Sequence, residues 1–206
     1  MQGSPPLRVH RIPFSTNVER IALACGIKGV EVEWVDHDPA DRAALIELSG
    51  QELTPVAELG AEVVFDSPRI LERLELEFPS APLLPADPAA RARAEIFVEW
   101  FNGVWKVAPN ALDADELDPA EEARHVAAIE SSTARFEAML SASPYLLGSE
   151  PGIADVIAWP FLRYALDEPM PGDDERFHAI LHERLGPGGH PALDAWVVRI
   201  RELPQA

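Results

Sequence analysis

The chain has 206 residues, 47% of them hydrophobic, with 35 acidic side chains against 17 basic ones and a formal charge of −18. That length suits one large domain or two small ones with adequate cores, and the acidity argues against nucleic acid and anionic membranes as partners, because both are repelled. The single cysteine, Cys25, excludes an internal disulfide framework and any zinc cluster of several thiolates. No apolar run approaches the length of a membrane span, and no basic segment leads into an apolar core at the N-terminus, so the expectation is a cytoplasmic protein.

In chain order, Leu7 to Ile12 alternates apolar and polar residues, the pattern of a strand. Asn17 to Cys25 carries Val18, Ile21, Ala22 and Cys25 at helical spacing, and Gly26 reads as its stop. Val30 to Val35 alternates again, and Ala40 to Leu48 returns to helical spacing. Val56 to Leu59 and Glu62 to Phe65 flank Gly60-Ala61, a short turn suited to an antiparallel hairpin. Ser67 to Phe78 is amphipathic, with Ile70, Leu71, Leu74 and Phe78 on one face. The order β-α-β-α-β-β-α predicts a mixed sheet with helices, an α/β unit.

Prolines at 79, 82, 85 and 88 then interrupt the chain, and residues 81–87 read as a linker between a domain over 5–80 and one over 88–206. Beyond the linker the strand signals vanish. Helices are predicted at about 88–112, 119–141, 153–164, 174–185 and 191–203, an all-α bundle. The acidic stretch Asp113-Ala114-Asp115-Glu116 reads as a solvated loop.

Three segments of the first domain carry chemistry. Thr54 is pushed out of helical conformation by Pro55 just ahead of a strand. Asp66-Ser67-Pro68 ends a strand with an acid, a serine N-cap and a proline at the first helical position. A helix opened this way offers backbone N–H groups and a hydroxyl to a carboxylate, and Asp66 beside them can hold an ammonium. That pairing fits an amino-acid head group, although an ordinary capped helix reads the same way. Ser15 lies between the first strand and first helix, just outside a capping box of Thr16 and Glu19. A thiolate or oxyanion at its hydroxyl gains from the helix dipole, while the alternative role is a second capping residue.

Together the strand-turn-helix with Ser15, the Thr54-Pro55 pair and the Asp66-Ser67 pair resemble the thioredoxin-like half of cytosolic glutathione transferases, of a serine-type, bacterial-like kind. The helical second half agrees, as do Gly148 to Asp155, which resembles the segment leading into that family's buried helix, and His190 to Trp196, which resembles its closing helix. The resemblance implies an N-terminal thioredoxin-like domain and a C-terminal α-helical bundle, assembled as a homodimer. It implies glutathione as co-substrate, no metal, and a transferase that attacks a small hydrophobic electrophile with the glutathione thiolate. Ser15 would then be the catalytic residue that stabilises the thiolate, with Phe14 beside it; Thr54 would pair its backbone with the cysteinyl part, Pro55 would be the cis-proline, and Asp66 and Ser67 would hold the γ-glutamyl group. Val18 stands where glutaredoxin-like relatives keep a second cysteine, so disulfide exchange is not implied.

Departures from the family pattern leave the glycine carboxylate of glutathione to Arg42, His37 or Gln51, since Leu53 offers only backbone. Arg69 follows Ser67-Pro68 and is read as solvent-facing, and Gly152 stands where a serine or threonine usually opens the box with Asp155. Phe97, Trp100, Phe101 and Trp105 on the first helix after the linker form the expected acceptor pocket, although packing competes with that reading. Trp159, Phe161 and Trp196 are expected core, Cys25 an inert buried side chain, and His178 and His182, four apart on one helix, surface residues with a faint metal spacing. Two alternatives stay open: a glutathione-dependent isomerase, whose associated Ser-Ser-Cys signature is replaced here by Ser15-Thr16-Asn17, and a non-enzymatic ligand-binding protein of the same fold.

Overall fold

The computed structural model describes residues 7–114, 117–186 and 188–206. The chain divides into two compact units, one running to Leu83 and taking in Leu203–Ala206, the other spanning Leu84–Glu202. The tail thus joins the first unit, where the sequence reading placed everything after Pro88 in the second. Residues 5 and 6 of the expected first domain, and Asp115 and Glu116 of the acidic stretch, lie outside the described residues.

The first unit follows the predicted order: β1 (Leu7–Arg11), α1 (Thr16–Lys28), β2 (Val32–Asp36), α2 (Ala43–Ser49), β3 (Val56–Leu59), β4 (Glu62–Phe65) and α3 (Ser67–Glu77). The sheet runs β2-β1-β3-β4, with β1 parallel to β2 and antiparallel to β3, and β3 antiparallel to β4. Alternation puts Leu7 and Val9 of β1 into the core with Ala57 and Leu59 of β3, while Arg8 turns to the opposite face and pairs with Glu33 and Glu58. The apolar face of α3 (Ile70, Leu71, Leu74) is fully covered, in company with Ile21 and Ala24 of α1.

Two helix boundaries differ from the sequence reading. Ser15, not Thr16, is the N-cap of α1, and Thr16 is buried in its first turn. Gly26 does not stop the helix, which runs on to Lys28 and closes at Gly29 in the left-handed conformation. Gly26 is instead a notch for the tail: a Cβ there would fall 2.0 Å from the Pro204 carbonyl oxygen. Beside it the Ala206 N–H donates to the Ala22 carbonyl at 3.0 Å. Interior glycine costs a helix about 1 kcal/mol against alanine, which the docked tail offsets.

Lys28 ties the far end of α1 down. Its ammonium is wholly buried and lies 2.5 Å from Glu75 of α3, within 3.4 Å of the Ser80 and Ala81 carbonyls. Glu75 also accepts the Leu83 N–H, so one carboxylate orders the start of the proline-rich segment.

The second unit is helical: α4 (Pro88–Trp100), a π-turn over Phe101–Trp105, α5 (Val107–Asp113), α6 (Pro119–Ala142), α7 (Ile153–Leu162) followed by a 3-10 turn, α8 (Arg176–Leu185) and α9 (Pro191–Arg201). Asp87 and Asp118 cap α4 and α6 ahead of prolines, as the composition of those starts predicts. Every residue of α7 is buried. Its Asp155 accepts hydrogen bonds from the Gly152 N–H at 3.0 Å, the Leu146 N–H at 3.0 Å and Trp196 Nε1 at 2.8 Å. With glycine at the N-cap, the aspartate forms its half of a capping box alone and spends its second oxygen on a loop and on α9. Trp159, Phe161 and Trp196 are core, as expected.

Two stability predictions follow from this packing. Asp155→Ala strands three buried donors and is expected to cost more than about 3 kcal/mol in a urea titration, since each unsatisfied group costs roughly 1–3 kcal/mol. Gly26→Val is expected to cost about 1–3 kcal/mol by overpacking; deleting Leu203–Ala206 in that variant should add little, because the tail is already displaced.

Candidate functional site

Unusual backbone geometry is concentrated around one groove. Thr54-Pro55 is the cis peptide among the described residues, and Asp66 holds a positive φ of 75° between β4 and α3. Phe14, with φ of 59°, turns the chain from β1 into α1. A non-glycine residue in such a conformation costs on the order of 1–3 kcal/mol and persists only where its surroundings enforce it. Asp66, Thr54 and Pro55 line a groove of about 670 Å³, and Ser15, the residue after Phe14, lies on its wall with Asn17 and Ser67.

Ser15 is half-buried at the N-cap of α1 and its hydroxyl makes no capping bond, leaving it at the positive end of the helix. Across the groove α3 begins one residue earlier than read from sequence: Asp66 is the exposed N-cap and Ser67 the first helical residue, almost fully buried. The Ser67 hydroxyl accepts from Arg20 Nη1 at 3.1 Å and makes a long 3.5 Å contact with Asn17 Oδ1. Arg20 was not singled out by sequence reasoning. It sits on the core face of α1, 1% exposed; burial pushes its guanidinium down to about 9, opposed by the charge of Asp66. The available signal was a charged residue at a helix position otherwise filled by Ile21, Ala24 and Cys25.

The far end of the groove is built by Pro39, Arg42 and residues 51–53. Gln51 spends its amide on its own loop, donating to the Leu53 carbonyl at 2.7 Å and accepting the Leu53 N–H at 2.7 Å, so it braces the approach to Thr54. Arg42 donates to the Pro39 carbonyl at 2.8 Å and, among the described residues, is the only basic side chain on the groove wall. His37 is not brought to the groove: its Nε2 bonds His10 Nδ1 at 2.8 Å, and His10 Nε2 bonds Glu58 at 2.9 Å. Phe14 faces a separate cavity of about 300 Å³ on the other side of Ser15, with Pro13, Trp34 and Ala22. Arg69 is exposed, as read.

Of the four aromatics expected to form an acceptor pocket, Phe97, Phe101 and Trp105 are interior side chains of the helical unit. Phe101 and Trp105 stack with centroids 4.4 Å apart within the π-turn, both inward and against Phe136 and Phe161. Only Trp100 lines open surface, with Ile96 and Val104. His178 is buried rather than surface: it bonds Asp173 at 2.8 Å and stacks on Tyr164, while His182 bonds the Tyr164 carbonyl. Cys25 is fully buried, and desolvation pushes its thiol up to about 12.

The sequence pattern of the glutathione S-transferase N-terminal domain matches residues 9–82, and that of the glutathione S-transferase C-terminal domain matches residues 119–199. The chain belongs to the glutathione S-transferase family. It is 28% identical over 167 residues to glutathione transferase omega-1 of Caenorhabditis elegans, covering 77% of this chain and 65% of that one. It is 32% identical over 91 residues to maleylpyruvate isomerase of Ralstonia, covering 42% of this chain and 43% of that protein, so both matches span less than two thirds of the relative. The fold is that of the tau class glutathione S-transferase of Mangifera indica, with a TM-score of 0.75 at 17% identity over 96% of this chain and 89% of that one.

The His10–His37 contact predicts a pH effect on stability. Burial first, and the charge of His10 next, lower the His37 pKa in the folded state. The unfolded chain therefore binds the proton more readily, and stability rises with pH from the folded-state value up to about 6.5, the ordinary histidine range. On acidification this contribution is lost, because an N–H···N bond between imidazoles needs one ring to accept. Urea midpoints at pH 5 and pH 7.5 should differ less in His37→Asn than in the parent.

Proposed function

We propose that the groove binds glutathione and that the protein is a glutathione transferase acting on a small apolar electrophile. The observation that carries this reading is the convergence of two helix N-termini on one groove, with the uncommitted Ser15 hydroxyl at one and the Asp66–Ser67 pair at the other. The γ-glutamyl ammonium meets Asp66 and its carboxylate meets Ser67 and the N-terminus of α3. The cysteinyl part lies along the backbone of Thr54, and the glycine carboxylate reaches Arg42.

In the reaction the sulfur is held at Ser15, whose hydroxyl donates to the thiolate while the dipole of α1 stabilises its charge. A lowered thiol pKa raises the nucleophilic fraction at neutral pH. The thiolate pair forms the new S–C bond, and the electrophile expels its leaving group or takes up a proton from water. Ser15 donates a hydrogen bond throughout and forms no covalent bond. The cavity beside Ser15, walled by Phe14 and Trp34, supports an apolar acceptor in place of the aromatics buried in the helical unit.

A glutathione-dependent isomerase uses the same thiolate, and the likeness to maleylpyruvate isomerase supports it as the second reading. A homodimer is supported by apolar side chains left exposed at helical spacing on α4 and its extension, Ile96 and Val104 around Trp100, and by Val63 and Phe65 on the edge strand β4. We place the protein in the cytoplasm, where reduced glutathione is abundant.

Conjugation of glutathione to 1-chloro-2,4-dinitrobenzene tests the proposal. Ser15→Ala is expected to lower kcat/KM by about 100-fold, the scale of removing one donor to a developing or stored anion, with glutathione affinity within about threefold of the parent by calorimetry. An unchanged rate in the variant, or no binding by the parent, overturns it. Isomerisation of maleylpyruvate without conjugation selects the second reading.

A further inference from the structure

The far end of the groove combines groups of unlike character. Arg42 ties its two lips together, donating from Nε to the Pro39 carbonyl at 2.8 Å and making a longer contact from Nη1 to the Glu52 carbonyl at 3.5 Å. The same wall presents two exposed apolar side chains, Pro39 and Leu53, and one exposed acid, Glu52. An end built only to hold a carboxylate would be lined by donors. This one is mostly apolar around a single cation.

A lone exposed leucine is ordinary on a protein surface and needs no explanation. Leu53 differs in two respects. It lines the groove beside buried Thr54 yet is 69% exposed, so its apolar area is left uncovered where a ligand lies. Its backbone is also braced, because the Gln51 amide accepts the Leu53 N–H at 2.7 Å and donates to the Leu53 carbonyl at 2.7 Å. Gln51 is steadied in turn by Ser49, whose hydroxyl donates to the Gln51 carbonyl at 3.1 Å. With its N–H committed, Leu53 gives a ligand no donor; what it presents is an apolar side chain on a fixed backbone. A contact to a group ordered in advance costs less entropy on binding.

We propose that Leu53 is a specificity-determining residue for the third position of the thiol tripeptide, and that the groove prefers γ-glutamyl-cysteinyl thiols whose C-terminal residue carries an apolar side chain over glutathione itself. The inference rests on the reading that this groove binds a γ-glutamyl-cysteinyl tripeptide with its sulfur at Ser15. In that pose the C-terminal carboxylate keeps Arg42, and the third side chain covers Leu53 and Pro39. Glycine has no side chain and leaves that surface wet. Glu52 on the same wall acts in the other direction, disfavouring a third residue that brings a second carboxylate.

The test uses the parent protein and Leu53→Ser with three thiols: glutathione, γ-glutamyl-cysteinyl-leucine, and γ-glutamyl-cysteinyl-serine as the polar control. Affinity is read by calorimetry, and KM and kcat with 1-chloro-2,4-dinitrobenzene. The parent is expected to bind the leucine tripeptide about 3- to 10-fold more tightly than glutathione, at the low end of what apolar pockets discriminate because this wall is open to solvent. The serine tripeptide should bind within about twofold of glutathione, since a hydroxymethyl group adds little apolar contact. The gain should appear in KM, with kcat within about threefold across the three thiols, because contacts remote from the sulfur act alike on ground and transition states. In Leu53→Ser the ratio of the two affinities, leucine tripeptide to glutathione, should fall to within about twofold of one; the side chain is exposed, so the fold is expected to survive. No preference in the parent, an equal gain with the serine tripeptide, or a preference that persists in Leu53→Ser overturns the proposal. Failure of the parent to bind any of the three thiols sinks this inference together with the transferase reading, whereas tight glutathione binding without the preference sinks this inference only.

Discussion

Two buried cations fasten α1 to α3, Arg20 to Ser67 at the groove end and Lys28 to Glu75 at the other. Between them the helices meet through side chains such as Ile21, Ile70 and Leu74, which are fully covered. Apolar contact alone lets packed helices slide by small steps, because it has no direction. A hydrogen bond at each end removes that freedom, and so fixes the separation of Ser15 from Ser67. In the proposed reading those two residues hold the sulfur and the γ-glutamyl end of one ligand, so that reading depends on their spacing.

Charge acts on two scales in this protein. The formal charge of −18 repels any anion at long range, and glutathione is an anion. Salt screens that field within about 8 Å at physiological ionic strength, so the nearby groups decide binding. Within the groove these are two helix N-termini, Arg42 on the wall and Arg20 beneath it. An acidity that disfavours polyanions is therefore compatible with a small, locally recognised anion.

The helical unit is organised by a different device. Asp155 gathers a loop, its own helix start and Trp196 of α9 around one buried carboxylate, and burial raises its pKa while the three donors act against that. The π-turn after α4 serves packing as well, turning both Phe101 and Trp105 inward. Aromatics that suggested a ligand pocket are the filling of this unit, which explains why they cluster so densely in sequence.

Much of the fold was legible in order along the chain, since alternation, 3.6-residue spacing and proline breaks are local signals: β3 and β4 lie where the pattern puts them, and the Asp87 and Asp118 helix starts follow from acid-proline pairs. Ser15, Thr54, Asp66 and Ser67 were legible as candidates because they stand at element boundaries and together resemble a family pattern, although each alone also reads as an ordinary cap or turn residue. What only the tertiary structure decided is which of these candidates share a wall and which side chains are spent elsewhere. Gln51 is consumed by its own loop, His37 by His10, and Gly26 by a tail far away in sequence, while Arg20 joins the site from the core side of a helix. Local spacing specifies backbone conformation, but partner choice by a polar side chain depends on groups brought close by folding, and a linear pattern carries no record of them.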